Sequence, residues 1–220
     1  MKINYEILKK SPLFNGISTT ELQSMLACLS ATHKSYKKDE FIFYSGDTIN
    51  QVGMVLSGGV HILKEDFWGN RTIIAKIEPG DMFGETYACV KSIPIEVSVL
   101  CSENTDILFM DINKIMETCD SKCGFHYKLI QNLLFVFAQK NLMLTKKMSH
   151  TTQRSTREKL LSYLSAESIA HNSHSFKIPF NRQQLADYLS VDRSAMSNEL
   201  SKLQKEGILT YEKNHFTLID

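Results

Sequence analysis

The chain lacks most of the features that settle a protein's class at a glance. No apolar run approaches the ~20 residues that span a bilayer as a helix, and the N-terminus has no signal-peptide core. The expected location is the cytoplasm, with no membrane partner. An excess of charge is missing too: 25 Lys and Arg stand against 24 Asp and Glu, a formal net charge of +1. From His150 to the end, nine basic residues face eight acidic ones. Any case for nucleic acid therefore rests on local placement, not on a basic domain. There is no disulfide framework. The five cysteines, Cys28, Cys89, Cys101, Cys119 and Cys123, are odd in number, lack framework spacing and fit a reducing compartment. Only Cys119-x3-Cys123, with His126 close by, has metal-ligand spacing. Zinc usually draws on about four ligands; no second pair is obvious, and no metal is expected. His171 and His174 lie in a polar stretch without further ligands. No Ser-His-Asp, Cys-His or metal constellation can be placed, so neither a catalytic residue nor an enzymatic activity is expected. Low-complexity tracts and internal repeats are absent. What remains is 220 residues of ordinary globular composition, 43% hydrophobic and 22% charged, enough for one large domain or two modest ones.

The clearest pattern is NRQQLADYLSVDRSAMSNELSKLQKEG, residues 181–207. Leu185, Ala186 and Leu189 share one apolar face at i, i+1 and i+4. Ser190 and Val191 make a turn, and Asp192 stands at an N-cap position ahead of Arg193. Met196, Leu200 and Leu203 then recur at i, i+4 and i+7, and Gly207 is a C-terminal stop. The outward face of this second helix carries Arg193, Ser194, Ser197, Asn198 and Lys202. Such side chains suit the major groove, where Arg bridges the two acceptors of guanine and Asn pairs with adenine. A plain helical hairpin with a solvated face has the same spacing. Two short strand-like runs follow, at 207–211 and 216–219, around a turn-like 212–215. A helix-turn-helix followed by a small hairpin is a winged helix.

The run RQQLADYLSVDRSAMSNELSKLQKEGIL resembles the DNA-binding signature of the Crp/Fnr family of bacterial transcription regulators. In that signature Arg-Gln-x-Leu-Ala opens the first helix and Arg-Ser-x-x-Ser the recognition helix. The resemblance implies a homodimer on double-stranded DNA, with RNA polymerase as a further partner. It places Arg193, Ser194 and Asn198 against base edges of a palindrome. Arg182, Ser197 and Lys202 would contact phosphates, which position the protein without reading sequence; Gln183 joins the DNA-binding set. Relatives often carry Arg where Asn198 sits, so the preferred operator should differ at that base. The Fnr branch holds an iron-sulfur cluster with N-terminal cysteines. Residues 1–27 contain none, and that sensor is not expected.

Upstream, Ser18-Thr-Thr-Glu21 is a capping box, with Leu22, Met25, Leu26 and Leu29 following at helical spacing. Residues 35–111 read as β. Apolar runs at 40–44, 53–56, 60–63, 72–75, 97–100 and 106–110 recur roughly every ten residues between turn signals, as in a sandwich or barrel. The layout resembles the family's cyclic-nucleotide-binding fold, with Gly46, Gly59, Gly80 and Gly84 at turns. Phe83-Gly84-Glu85 resembles the opening of the family's phosphate-binding cassette. There a short helix follows and offers its N-terminal amides to a phosphate, and the Glu bonds a ribose hydroxyl; Thr86 joins the expected effector-binding set. The family completes the site with Arg followed by Ser or Thr; this chain has Ile95 and Glu96 in those places. An apolar residue and a carboxylate cannot replace a guanidinium facing a phosphate. Lys91 offers a cation from the loop, as a weaker point charge. The expected effector is therefore unknown but not cyclic AMP, no cofactor is assigned, and Glu85 reads as a turn-stabilising acid.

A long helix follows at 124–148. Cys123, Tyr127, Ile130, Leu134, Phe137, Asn141, Leu144 and Met148 recur at alternating intervals of about four and three, an a/d seam that predicts a paired helix. Leu133, Leu142 and Met143 widen the stripe, and Asn141 is the polar seam residue that sets register. Cyclic-AMP-binding relatives carry hydroxyl side chains near the places of Leu142 and Met143, so any pocket here is drier. The polar stretch 145–156 reads as a hinge, 157–167 as a helix, 168–175 as a polar loop and 176–180 as a short strand.

The expected architecture is α+β: an N-terminal double-stranded β-helix, or jelly-roll-like β-roll, at 1–123 as effector domain; a dimerisation helix at 124–148; and a winged helix-turn-helix at 149–220. The competing readings are a small-ligand-binding module with a merely structural hairpin, and a regulator that senses redox state through Cys89 or Cys101.

Overall fold

The computed structural model describes residues 4–90, 93–116 and 124–219. They divide into two compact units, Met1–Phe137 and Ala138–Asp220. No helix among the described residues is long and apolar enough to cross a membrane.

The first unit opens with α1 (Tyr5–Lys10), a 3-10 turn at Pro12–Phe14, and α2 (Thr19–Cys28). The start of α2 is set by the capping box read from the sequence. The Ser18 hydroxyl accepts from the Glu21 N–H, and the Glu21 carboxylate accepts from the Ser18 N–H at 2.8 Å. A cap of this kind contributes about 1 kcal/mol. Eight strands follow: β1 (Thr32–Tyr36), β2 (Phe41–Phe43), β3 (Gln51–Ser57), β4 (Val60–Glu65), β5 (Arg71–Ile77), β6 (Met82–Phe83), β7 (Ser98–Cys101) and β8 (Thr105–Asp111). They build two antiparallel four-stranded sheets, ordered β1-β8-β3-β6 and β2-β7-β4-β5. The short helix α3 (Glu85–Val90) lies between β6 and β7, and α4 (Ile112–Met116) follows β8.

The six apolar runs all fall in strands. β1, THKSY, has no such run; it is an edge strand that pairs with β8 through its backbone. β3 and β8 occupy the middle of their sheet and bury both faces. Val52, Met54 and Leu56 of β3, with Leu108 and Met110 of β8, join the core under the helices. Val55, Ile107 and Phe109 point the other way, into the layer between the sheets with Val60, Phe83 and Val99. Covering both faces is why these segments read as nearly continuous apolar runs. Phe43, Phe83 and Phe109 meet edge-on there, with centroids 6.0 to 6.5 Å apart, the geometry that ring quadrupoles favour. At the β3–β4 turn Gly58, not Gly59, takes the left-handed conformation, with φ of 76°.

The long helix α5 (Gly124–Thr151) starts in the first unit. Leu129, Leu133 and Val136 bury into its core. Asn132 donates from Nδ2 to the carbonyls of Leu13 and Asn15 at 2.9 Å, and Lys128 donates to the Gly16 carbonyl at 2.6 Å. α5 does not stop where the polar stretch begins. The hydroxyls of Ser149, Thr151 and Thr152 donate back to the carbonyls of Lys146, Lys147 and Met148. Polar side chains satisfied within their own turn are compatible with helix. Of the polar stretch 145–156, only residues 152–155 lie outside a helix.

The second unit continues with α6 (Thr156–His171), β9 (Ser175–Lys177), α7 (Arg182–Leu189), α8 (Arg193–Lys205), β10 (Leu209–Glu212) and β11 (His215–Leu218). α6 starts at a Ser155–Glu158 capping box and ends on Asn172, left-handed at φ 48°. Residues 168–171 are therefore helix, not the polar loop expected there. β10, β11 and β9 form one antiparallel sheet in that order. Leu160 and Leu164 of α6, Phe176 of β9, Leu189, Leu200 and Leu203 of the hairpin, and Phe216 of β11 make the core.

Candidate nucleic-acid interface

The α7–α8 hairpin is held by three local devices. Asn181 caps α7: its side chain accepts from the Gln184 N–H at 3.0 Å while Gln184 accepts from the Asn181 N–H at 2.8 Å. Ser190 ends α7 in the left-handed conformation, φ 53°, and sends the chain into the turn. Asp192 then caps α8, accepting from the Ala195 N–H at 2.8 Å and from the Ser194 hydroxyl at 2.5 Å. These bonds, that of the Ser194 hydroxyl foremost, hold the Asp192 carboxyl below its ordinary pKa. The ionised acid lies at the positive end of the helix dipole.

Leu185, Ala186, Leu189, Met196, Leu200 and Leu203 are all 0% exposed. With that face buried, α8 must turn its other face outward. Arg193 and Asn198 are exposed, and among the described residues no hydrogen bond or ion pair holds their side chains. The remaining positions of the expected set are engaged within the domain. Ser197 is half-buried and donates to the Arg193 carbonyl at 2.9 Å. Lys202 lies 3.5 Å from Glu199. Gln183 donates to Asp187 at 2.9 Å. Arg182 lays its guanidinium over Tyr211 and Phe216, at 4.6 and 5.1 Å from the ring centroids. Burial lowers its pKa, though an arginine stays charged.

Two further residues shape this unit without a sequence signal. Arg157, in the first turn of α6, donates to Glu206 at the end of α8 at 3.0 Å and to Glu199 at 3.3 Å. His150, in the last turn of α5, is buried, with Nδ1 2.8 Å from the Ser162 hydroxyl and its ring edge-on to Tyr163. Burial pushes its pKa down. The last turn of α5 is thereby seated on α6.

The expected effector residues of the first unit divide differently. Phe83 lies in the layer between the sheets, and Gly84 is left-handed at φ 80°. Glu85 is buried and begins α3, whereas Thr86 is exposed. Ile95 is 2% exposed and packs in the apolar core that also holds Ile49, Met82 and Ala88. Its backbone is fixed from both sides: the Ile95 N–H donates to the Asp47 carbonyl, and the Ile95 carbonyl accepts from the Gly46 N–H, each at 2.8 Å. Glu96 is exposed. No donor for a phosphate therefore comes from either position. Lys91, Cys119 and Cys123 lie outside the described residues. Among the described residues no group of three His, Cys, Asp or Glu is placed to hold a metal.

Family models match in two places: the cyclic nucleotide-binding domain over residues 33–122 and the Crp-like helix-turn-helix domain over residues 158–220. The chain belongs to the Crp/Fnr family of transcription regulators. The cyclic AMP receptor protein of Thermus thermophilus is 29% identical over 101 residues, 46% of this chain and 45% of that protein. This alignment thus spans less than half of the Thermus protein. The regulatory protein HlyX of Actinobacillus pleuropneumoniae is 23% identical over 201 residues, 84% of this chain and 77% of that one. The crystal structure of Thermus thermophilus catabolite activator protein covers 95% of this chain and 94% of its own, with a TM-score of 0.52 at 20% identity; that likeness concerns the fold. Family members are regulators rather than enzymes. Within the Crp/Fnr layout, this chain combines a cyclic-nucleotide-binding-like domain with a helix-turn-helix DNA-binding domain.

In this Crp/Fnr chain, α5 carries two stripes. One holds the buried Leu129, Leu133 and Val136. The other is the seam: Tyr127, Leu134, Leu144 and Met148 are 69%, 64%, 68% and 59% exposed. Asn141 is exposed as well, Ile130 and Phe137 are half-buried, and Leu142 and Met143 stand exposed beside them. Burial pushes the Cys89 and Cys101 thiols up, which disfavours the thiolate, the nucleophilic form.

Proposed function

We propose that this regulator binds a palindromic site on double-stranded DNA as a homodimer, in the cytoplasm, and acts there on RNA polymerase. Arg193, Ser194 and Asn198 read base edges in the major groove; Arg182, Ser197 and Lys202 serve the phosphates, and Gln183 belongs to the same DNA-binding set. The observation that carries this reading is the outer face of α8, where Arg193 and Asn198 are exposed and unengaged while the opposite face is wholly buried. The seam from Tyr127 to Met148 pairs with its copy in a second chain, with Asn141 setting register. Residues 1–123 form the effector domain, 124–148 the dimerisation helix and 149–220 the DNA-binding domain.

The effector is a molecule other than cyclic AMP. Support comes from Ile95, which gives an apolar core side chain where a phosphate site needs a cation. Binding of that effector shifts the population of DNA-competent dimers. Selection from random-sequence duplexes tests the reading. The expected product is a palindrome whose half-sites lie about 34–36 Å apart. Recovery of no preferred sequence would sink it and favour a ligand-binding module with a structural hairpin.

A further inference from the structure

The last turn of α5 ends in an aromatic box. His150 lies two positions after Met148, the final seam residue, and is 7% exposed. Its Nδ1 is 2.8 Å from the Ser162 hydroxyl of α6. Its ring stands edge-on to Tyr163 of α6, with centroids 5.7 Å apart, and lies 6.4 Å from the ring of Tyr188 of α7. Tyr188 in turn meets Tyr163 at 5.4 Å and Phe180 at 4.9 Å. The titratable and charged groups around the imidazole are Tyr163 and Glu167 of α6, Tyr188 of α7 and Lys147 of its own helix. Burial pushes both phenols up, and they stay neutral. Lys147 holds its ammonium 5.7 Å from the centroid of Tyr188. Burial lowers the His150 pKa and outweighs Glu167, which pulls toward the charged form.

A neutral imidazole suits this place, because one ring nitrogen shares a hydrogen bond with Ser162 and the rest of the ring packs on aromatic carbon. An imidazolium gives up its hydration there, and it meets a like charge where Lys147 already sits on Tyr188. Beyond α5 the chain reaches α6 through residues 152–155 alone. The direction of the last turn therefore depends on its side-chain seat. We propose that His150 is a positioning residue: its neutral ring ties the end of the seam helix to α6 and α7, which share a core with α8, and its protonation releases that tie and weakens operator binding. This rests on the DNA-binding reading above and adds acid sensitivity to it. Above the ordinary histidine value, about 6.5, the ring is neutral whether seated or released, and the tie is at full strength. As pH falls from there toward the lower seated value, the released turn takes up a proton that the seated turn does not. The tie then weakens by up to about tenfold per pH unit in each subunit.

The readout is the ratio of operator affinity to random-duplex affinity, followed at fixed salt from about pH 8 to about pH 5.5. Wild type is expected to hold its ratio down to about pH 6.5 and to lose about tenfold below it, while random-duplex affinity does not fall. H150N offers Ser162 a neutral amide in place of Nδ1 and should keep the ratio flat across the range. A His150 that served stability alone would lower the unfolding midpoint of H150N and leave the slope of the ratio with pH as in wild type. Should H150N not fold, the Cε1–H NMR signal of His150 in the wild-type protein takes its place: its midpoint is expected below about 6.5, in the range where the ratio is lost. A flat wild-type ratio, an H150N ratio that falls like that of wild type, or a His150 midpoint no lower than about 6.5 would each overturn the proposal. So would a loss shared by operator and random duplex, which marks general unfolding. Failure of the DNA-binding reading looks different, because wild type then enriches no sequence at any pH while the depressed NMR midpoint remains.

Discussion

On α8, the side chains that bury the helix and the two that face outward unengaged are different residues. At Phe83, Glu85 and Ile95, positions that could face a ligand have been taken into the structure. Met196, Leu200 and Leu203 hold α8 while Arg193 and Asn198 stand free of it. Phe83 and Ile95, by contrast, are buried core. The lesson is one of separability. An interface laid over a finished core can change its reading without unfolding, whereas a site whose anchor has become core cannot be restored by one substitution.

The largest effect should come from trying to reverse that difference. Ile95→Arg places an unpaired guanidinium in an apolar core and should lower stability by about 3–5 kcal/mol in denaturant unfolding. A stable I95R protein that binds cyclic AMP would show instead that the site is merely latent. At the hairpin, Arg193→Ala should weaken operator binding by about 1–3 kcal/mol per subunit and relax one base preference. Unfolding should change little, within about 0.5 kcal/mol. An equal loss on operator and random DNA would make Arg193 a phosphate contact.

Asp192→Ala tests the device that starts α8 and should cost about 0.5–2 kcal/mol of stability. The sign with pH follows from the depressed carboxyl pKa. The folded state binds fewer protons, so the cap's contribution is present above the ordinary Asp value, about 3.9, and is lost as pH falls through the lower folded value. Asp192→Ala should remove that part of the acid sensitivity. The smallest effect expected is none: cyclic AMP should leave the thermal midpoint where it is. A true ligand at about 100 times its Kd would add about 2.7 kcal/mol, and a shift of that size would overturn the account of Ile95.

Much of this was legible in order along the chain. Ser18-Thr-Thr-Glu21, Asp192 and the apolar steps Met196, Leu200, Leu203 act over a few residues, so spacing alone reveals them. The long helix α5 was equally legible from its alternating apolar intervals. Its second, buried stripe was less so, because Leu133 appears in sequence merely as a widening of the same apolar face. The helix ends were misjudged where polar side chains bond within their own turn, as at Ser149, Thr151 and Thr152. A polar run signals a loop only when water, not the helix, satisfies it.

The sequence by itself determined the order of elements, the caps, the core face of each hairpin helix and the Crp/Fnr signature, since all are short-range patterns written in side-chain type and spacing. Only the tertiary structure decided where chemically versatile side chains went. Arg157 meets Glu206 across 49 positions, Arg182 finds the wing rings rather than open solvent, and His150 closes onto Ser162. A cation or an imidazole carries no mark of its partner. Its partner is set by which distant segments the packed core brings alongside, and that is a property of the whole chain.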